Sequence, residues 1–160
     1  MKLKRALAQL LVAVSFLSLG LSGAVHAQES SLTATELKTS ADRLLRSGQI
    51  PSAIDTYKEA LSLDPSFKEV YFNLAVAYFT NQNSKDAATC LEKLLLLDPN
   101  DSEAAYDLAC LNLYEKNIPK ARLFLEKASS CCPEEAGFKP LIQNTLGLLN
   151  RLENLDPQAQ

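Results

Sequence analysis

The sequence predicts an all-α solenoid, three helix-turn-helix units stacked in series and closed by a terminal capping helix. Three observations predict it. One fixed period relates Pro65 to Pro99 and Pro133, Ala53 to Ala87 and Ala121, and Leu63 to Leu97, with Cys131 in the third copy. Within each period apolar residues recur at spacings of three and four, which marks one face of a helix. After the third period a single amphipathic stretch remains, with no second helix to pair with it. A unit of this length cannot bury its own apolar face, so such units stack, and the stack works by binding.

The N-terminus reads as an address. Lys2, Lys4 and Arg5 precede an apolar run, Leu10–Leu21, broken only by Ser15, Ser18 and Gly20. Val25-His26-Ala27 then puts small residues at −3 and −1 before Gln28. This three-part pattern is that of a secretory signal peptide covering residues 1–27. No cysteine follows to carry a lipid anchor. An uncleaved anchor over Ala6–Val25 is the competing reading, and its polar interruptions disfavour it. The expected location is extracytoplasmic, periplasmic or secreted, with no stable membrane insertion after cleavage.

Net charge is −3, and removing Lys2, Lys4 and Arg5 leaves 13 basic residues against 19 acidic ones. A compact acidic domain repels phosphate backbones, so no nucleic-acid partner is expected. The chain's one histidine, His26, lies in the segment expected to be removed.

Residues 28–34 form a polar lead-in to a repeat domain expected over residues 35–155. Thr33 or Thr35 caps the first helix, with Glu36 early, where the helix dipole favours an anion. Leu37, Ala41, Leu44 and Leu45 give that helix its apolar face, and Ser47-Gly48-Gln49 stops it. Pro51 opens the second helix, which carries Ala53, Ile54, Tyr57, Ala60 and Leu61 and ends at Asp64-Pro65. The first unit therefore spans about 34–67.

The second unit, 68–101, has Val70, Tyr71, Leu74, Ala75 and Tyr78 on its first helix and Asn81-Gln82-Asn83 as its turn. Ser84 opens its second helix, with Ala87, Ala88, Leu91, Leu94 and Leu95. The third unit, 102–135, repeats this with Ala104, Ala105, Leu108, Ala109 and Leu111, a break at Lys116-Asn117, and then Pro119, Ala121, Leu125 and Ala128. Alanines at fixed positions let two helices approach closely. Beyond Pro133, a helix over about 135–154 turns Phe138, Leu141, Ile142, Leu146, Leu149 and Leu152 to one side. Lys139, Gln143, Asn144, Asn150, Arg151 and Glu153 form its wet face, as a cap requires. Residues 156–160 are a polar tail.

These residues resemble the tetratricopeptide repeat family, whose period is also 34. Tyr71, Leu74, Ala75 and Tyr78 match its aromatic, Leu, small and Tyr positions. Ala87, Leu91 and Pro99 match its second-helix alanine, large apolar and closing proline, while Leu94 stands where an alanine is usual. The first unit matches at Leu37, Ala41, Leu44, Gly48, Ala53, Tyr57, Ala60 and Pro65, with Ser40 in place of Leu. The third matches at Leu108, Ala109, Ala121, Leu125, Ala128 and Pro133, with Asn112 in place of Tyr. The resemblance implies a right-handed α-solenoid that acts as a binding scaffold.

In an array of this kind the first helices line the concave side. Helical geometry then brings Lys38, Asp42, Leu45 and Arg46 to one end. Phe72, Asn73, Val76 and Phe79 take the centre, followed by Tyr106, Asp107, Cys110, Leu113 and Tyr114. The expected groove consists of Lys38, Arg46, Phe72, Asn73, Val76, Phe79, Tyr106, Cys110, Leu113 and Tyr114. Burying each aromatic there is worth about 1.5–3 kcal/mol, enough for a few of them to hold an amphipathic peptide or protein segment. Some members of the family clamp a terminal carboxylate at such positions. Lys38 and Asn73 fit that use, but Asp42 stands where the resemblance implies Asn, and Glu103 and Asp107, where it implies Lys and Arg, would repel the ligand's carboxylate.

An even set, Cys90, Cys110, Cys131 and Cys132, permits disulfides in an exported chain and leaves the pairing open. Cys131 replaces Leu63 and Leu97 and is expected as a small buried hydrophobe, while Cys132 replaces Asp64 and Asp98. No catalytic residue, metal site or cofactor is expected. Without histidine there is no Ser-His or Cys-His pair, and no glycine-rich phosphate loop occurs. Asp55, Glu59, Glu92 and Glu126 lie on outward faces. The leading expectation is an exported adaptor or chaperone-like scaffold with an apolar, aromatic groove. The alternative is a self-associating structural component of the cell envelope.

Overall fold

The computed structural model describes residues 32–155. The expected signal peptide, most of the lead-in and the tail at 156–160 lie outside them. Seven α-helices follow in order: α1 Ala34–Arg46, α2 Ile50–Leu63, α3 Lys68–Thr80, α4 Ser84–Leu97, α5 Ser102–Tyr114, α6 Ile118–Cys131 and α7 Lys139–Leu155. The starts of α1, α3 and α5 fall exactly one sequence period apart, and so do those of α2, α4 and α6. Each helix packs on its neighbours in the chain, and α1 also reaches α3.

The turn inside each unit is one motif used three times. Gln49 N–H donates to Leu44, Asn83 N–H to Tyr78 and Asn117 N–H to Asn112. Gly48, Gln82 and Lys116 take the left-handed backbone that closes this motif, with φ of 79°, 59° and 60°. Asn83 and Asn117 then cap the following helix, accepting from the Asp86 and Lys120 amides. One residue thus ends a helix and begins the next, which forces an antiparallel pair. At the front of the array Thr33 is the cap, in a reciprocal box with Glu36.

The core is built on small residues. Ala41, Ala53, Ala60, Ala77, Ala87, Ala104, Ala105, Ala109, Ala121 and Ala128 are buried where helices cross, and Tyr57, Val70, Leu108, Leu125 and Ile142 fill the spaces between. Leu94, at the usual alanine position, is also buried.

Three expectations are corrected. The last helix begins at Lys139 rather than near 135. Pro140 would lie in the interior of a helix begun at 135, where it lacks a donor and collides with the preceding turn, whereas the first turn tolerates it. The face α7 buries is set by Ile142 and Leu149, so Leu141 is 50% exposed, and Lys139 turns inward to the Cys132 carbonyl and Glu134. Finally, Cys132 is the buried cysteine of the adjacent pair, while Cys131 shares the open helix end of Leu63 and Leu97.

Candidate functional site

The site begins with a stripe on α3. Phe72, Val76 and Phe79 follow one another at helical spacing, and Val76 and Phe79 stay 43% and 48% exposed. Across from them α5 contributes Asp107, Cys110 and Leu111, and Leu91 of α4 forms the floor. Together they enclose a cleft of about 210 Å³. At its rim Phe79 meets Tyr114 edge to face, with ring centroids 5.8 Å apart and planes at 83°. That geometry is worth about 0.5–1.5 kcal/mol beyond buried area.

A second cleft of about 420 Å³ shares Phe72 and is lined otherwise by Lys38, Lys68, Glu69, Asn73, Leu94, Asp101 and Glu103. Phe72 is thus the partition between an apolar compartment and a charged one.

Of the expected groove residues, Phe72, Val76, Phe79 and Cys110 come together around the apolar cleft, with Tyr114 at its rim. Lys38 and Asn73 belong to the charged compartment. Arg46, Tyr106 and Leu113 line neither. Tyr106 turns toward the cap, where its ring lies 6.4 Å from that of Phe138.

The polar groups of Lys38 and Asn73 are already engaged. Asp42 accepts hydrogen bonds from Tyr57 Oη at 2.6 Å, Asn73 Nδ2 at 2.9 Å and Lys38 Nζ at 3.2 Å. Burial pushes the Asp42 carboxyl up, but the Tyr57 and Lys38 contacts and the Asn73 amide outweigh it and hold the group below its ordinary range. Burial, with the neighbouring carboxylate, drives the Tyr57 phenol upward. The two positions that fit a carboxylate clamp thus carry their own internal anion.

Moving this knot forward by one period lands on the apolar cleft. Lys38 becomes Phe72, Asp42 becomes Val76, Tyr57 becomes Leu91 and Asn73 becomes Asp107. All four line the cleft. Leu91 lacks the ring and hydroxyl that Tyr57 uses to fill the equivalent space, and Val76 offers Asp107 no hydrogen bond. Among the described residues none donates to the Asp107 carboxylate. Burial, then the negative charges of Glu103 and Asp101, push that carboxyl up to about 6. Asp107 was expected on this face but not among the groove residues, and only the cross-repeat comparison with Asn73 singles it out.

The four cysteines are free thiols. Burial raises Cys90 to about 12, and it also raises Cys110, where Asp107 adds to the shift and a hydrogen bond with Tyr106 opposes it. Thiols of this kind are poor nucleophiles.

Residues 44–109 match the family described as tetratricopeptide repeat. The structural likenesses agree. The chain aligns with the Yersinia enterocolitica type III secretion chaperone SycD in complex with a peptide of the translocator YopD, at a TM-score of 0.70 and 17% identity, over 79% of this chain and 98% of that one. With the Sgt2 TPR domain from Aspergillus fumigatus the TM-score is 0.66 at 23% identity, over 79% and 83%. This chain carries a tetratricopeptide-repeat array. A third structure is the first TPR of Spaghetti (RPAP3) bound to the HSP90 peptide SRMEEVD, at a TM-score of 0.65 and 20% identity, over 75% and 92%. In sequence, the chain is 35% identical over 86 residues to a tetratricopeptide repeat and J domain-containing co-chaperone, DNJ1, of Cryptococcus neoformans var. grubii. That match covers 54% of this chain and 16% of the relative's length. Among the described residues no helix is long and apolar enough to cross a membrane, and no group of three or more His, Cys, Asp or Glu side chains is placed to hold a metal ion.

Proposed function

We propose that this chain is an exported scaffold that holds a segment of a partner protein on the face built by α1, α3 and α5. One observation carries the reading. Val76, Phe79 and Tyr114 remain substantially exposed around a preformed apolar cleft instead of packing into the core. A monomer seldom keeps such a patch without use. Two neighbours of the same fold hold peptides, which supports the reading. Replacing Phe72 and Phe79 with Ser is expected to abolish capture of partners from the envelope fraction while leaving helicity unchanged. Unchanged capture would overturn the reading. Export is tested on the N-terminus of the recovered protein, expected at Gln28.

A second reading, self-association, draws on Leu141 and Leu148, which are 50% and 57% exposed on α7. They lie two helical turns apart on one face. A concentration series in analytical ultracentrifugation separates the two. A stable dimer that Leu141→Ser and Leu148→Ser dissolve favours association through the cap.

A further inference from the structure

We infer that the cleft receives a partner segment that seats an apolar side chain against Phe72, Val76 and Leu91 and delivers a lysine or arginine cation to Asp107 and Glu103. The inference rests on the binding face proposed above and specifies its chemistry. The cleft wall is apolar on the α3 and α4 sides, and its polar wall is one carboxylate. Glu103 stands one helical turn before Asp107 on the same face of α5, where like charges repel.

The nearby cations are committed elsewhere. Lys38 lies 3.2 Å from Asp42 and 3.8 Å from Glu69, and Lys68 lies 2.9 Å from Asp98. The first repeat shows how the same place looks when satisfied, because Asn73, the equivalent of Asp107, has its partner in Asp42. In the second repeat that partner must come from outside. A neutral donor would answer Asp107 alone. A cation answers Asp107, Glu103 and the field of Asp101 together. An acidic segment would meet repulsion at the polar wall of the cleft.

The test uses the whole chain and two fluorescent amphipathic peptides with the same leucine face, one with lysine and one with glutamate at its polar positions. Anisotropy is expected to show the lysine peptide binding about tenfold tighter at low salt, with the preference shrinking as salt rises. Asp107→Asn with Glu103→Gln should cut that preference below about twofold. Glu92→Gln with Glu126→Gln, which removes the same charge from outward faces, should preserve it.

Equal binding of the two peptides overturns the inference. So does a preference that survives Asp107→Asn with Glu103→Gln, or one that the outward pair also abolishes. If both peptides bind equally and Phe72→Ser with Phe79→Ser releases both, the charge inference falls and the groove stands. If neither binds, both fall. A dimer that excludes the peptide identifies a second copy as the occupant and overturns the inference.

Discussion

Asn73 and Asp107 occupy the same place one repeat apart, yet Asn73 donates to Asp42 at 2.9 Å while Asp107 faces Val76 and Leu91. The two positions differ by one atom type in the side chain and by everything around them. In the first repeat the pocket is filled by Tyr57 and a closed polar knot. In the second the tyrosine is a leucine, the knot is gone, and a cleft with one carboxylate remains. Where the array is complete it is inert, and where it is incomplete it has something to offer a partner.

Asp107→Asn is expected to stabilise the chain at neutral pH. The folded carboxyl titrates at about 6, above its unfolded value of about 3.9. The folded state therefore binds more protons between those limits, and Asp107's contribution to stability rises as pH falls through about 6 and is complete below about 4. Its neighbours across the cleft, Phe72, Val76 and Leu91, carry no charge, and the charges acting on it are Glu103 and Asp101. Discounting for its partly exposed position leaves a gain of about 1 kcal/mol for the asparagine at pH 7. Urea denaturation at pH 7 and pH 4 checks this. The gain should vanish at the lower pH.

Asp42 should behave in the opposite sense. Its folded carboxyl is held below the unfolded value, so its contribution is present above about pH 3.9 and is lost as pH falls through the lowered one. Asp42→Ala also strands the Tyr57 hydroxyl, the Asn73 amide and the Lys38 ammonium. We expect a loss of about 3 kcal/mol at pH 7. Tyr57→Phe isolates one arm of the knot and should cost about 1 kcal/mol.

The turn glycine tests the backbone alone. Gly48 has φ of 79° with nothing within 4 Å of the place a Cβ would take, so Gly48→Ala meets no side-chain obstacle. It should still cost about 1 kcal/mol through the left-handed conformation. Gln82 and Lys116 already bear that strain, with φ of 59° and 60°. Gln82→Gly and Lys116→Gly should each gain about 0.5–1 kcal/mol, the relief exceeding the added freedom of the unfolded chain. Thermal melts of the two single variants and the double variant check both size and additivity.

The parts that repeat were legible in the sequence, because one fixed period sets helix starts, turn residues and alanine contacts together. The stripe Phe72, Val76, Phe79 was legible for the same reason, being one helix face. What escaped depends on contacts between different helices. Nothing local in Tyr57 or Asp42 announces that they meet, and Asn73 resembles a ligand donor because its partner sits on α1, one unit earlier, whereas Lys38 and Asp42 are a local i, i+4 pair. Register places Tyr106 in the groove, but its ring packs toward Phe138, which follows the last repeat. Pro140 moved the start of α7 by a local rule that the repeat register does not contain.

That register also supplies the sharpest test of the cleft. Val76→Asp, Leu91→Tyr and Asp107→Asn together transplant the Asp42, Tyr57 and Asn73 set into the second repeat, each position moved forward by one period. The new tyrosine ring should occupy the cleft of about 210 Å³, and its hydroxyl and the new amide should both find the new carboxylate. Leu91→Tyr alone puts its ring in the cleft but leaves its hydroxyl facing Val76 without a partner, a loss of about 1–3 kcal/mol. The triple variant should recover most of that loss, because the partner arrives with the ring. Circular dichroism should show unchanged helicity, and the lysine peptide should lose at least about tenfold in affinity, since both the apolar seat and the free carboxylate are gone. If the triple variant melts no higher than Leu91→Tyr, the two interfaces are not equivalent. The contrast between Asn73 and Asp107 would then have another origin.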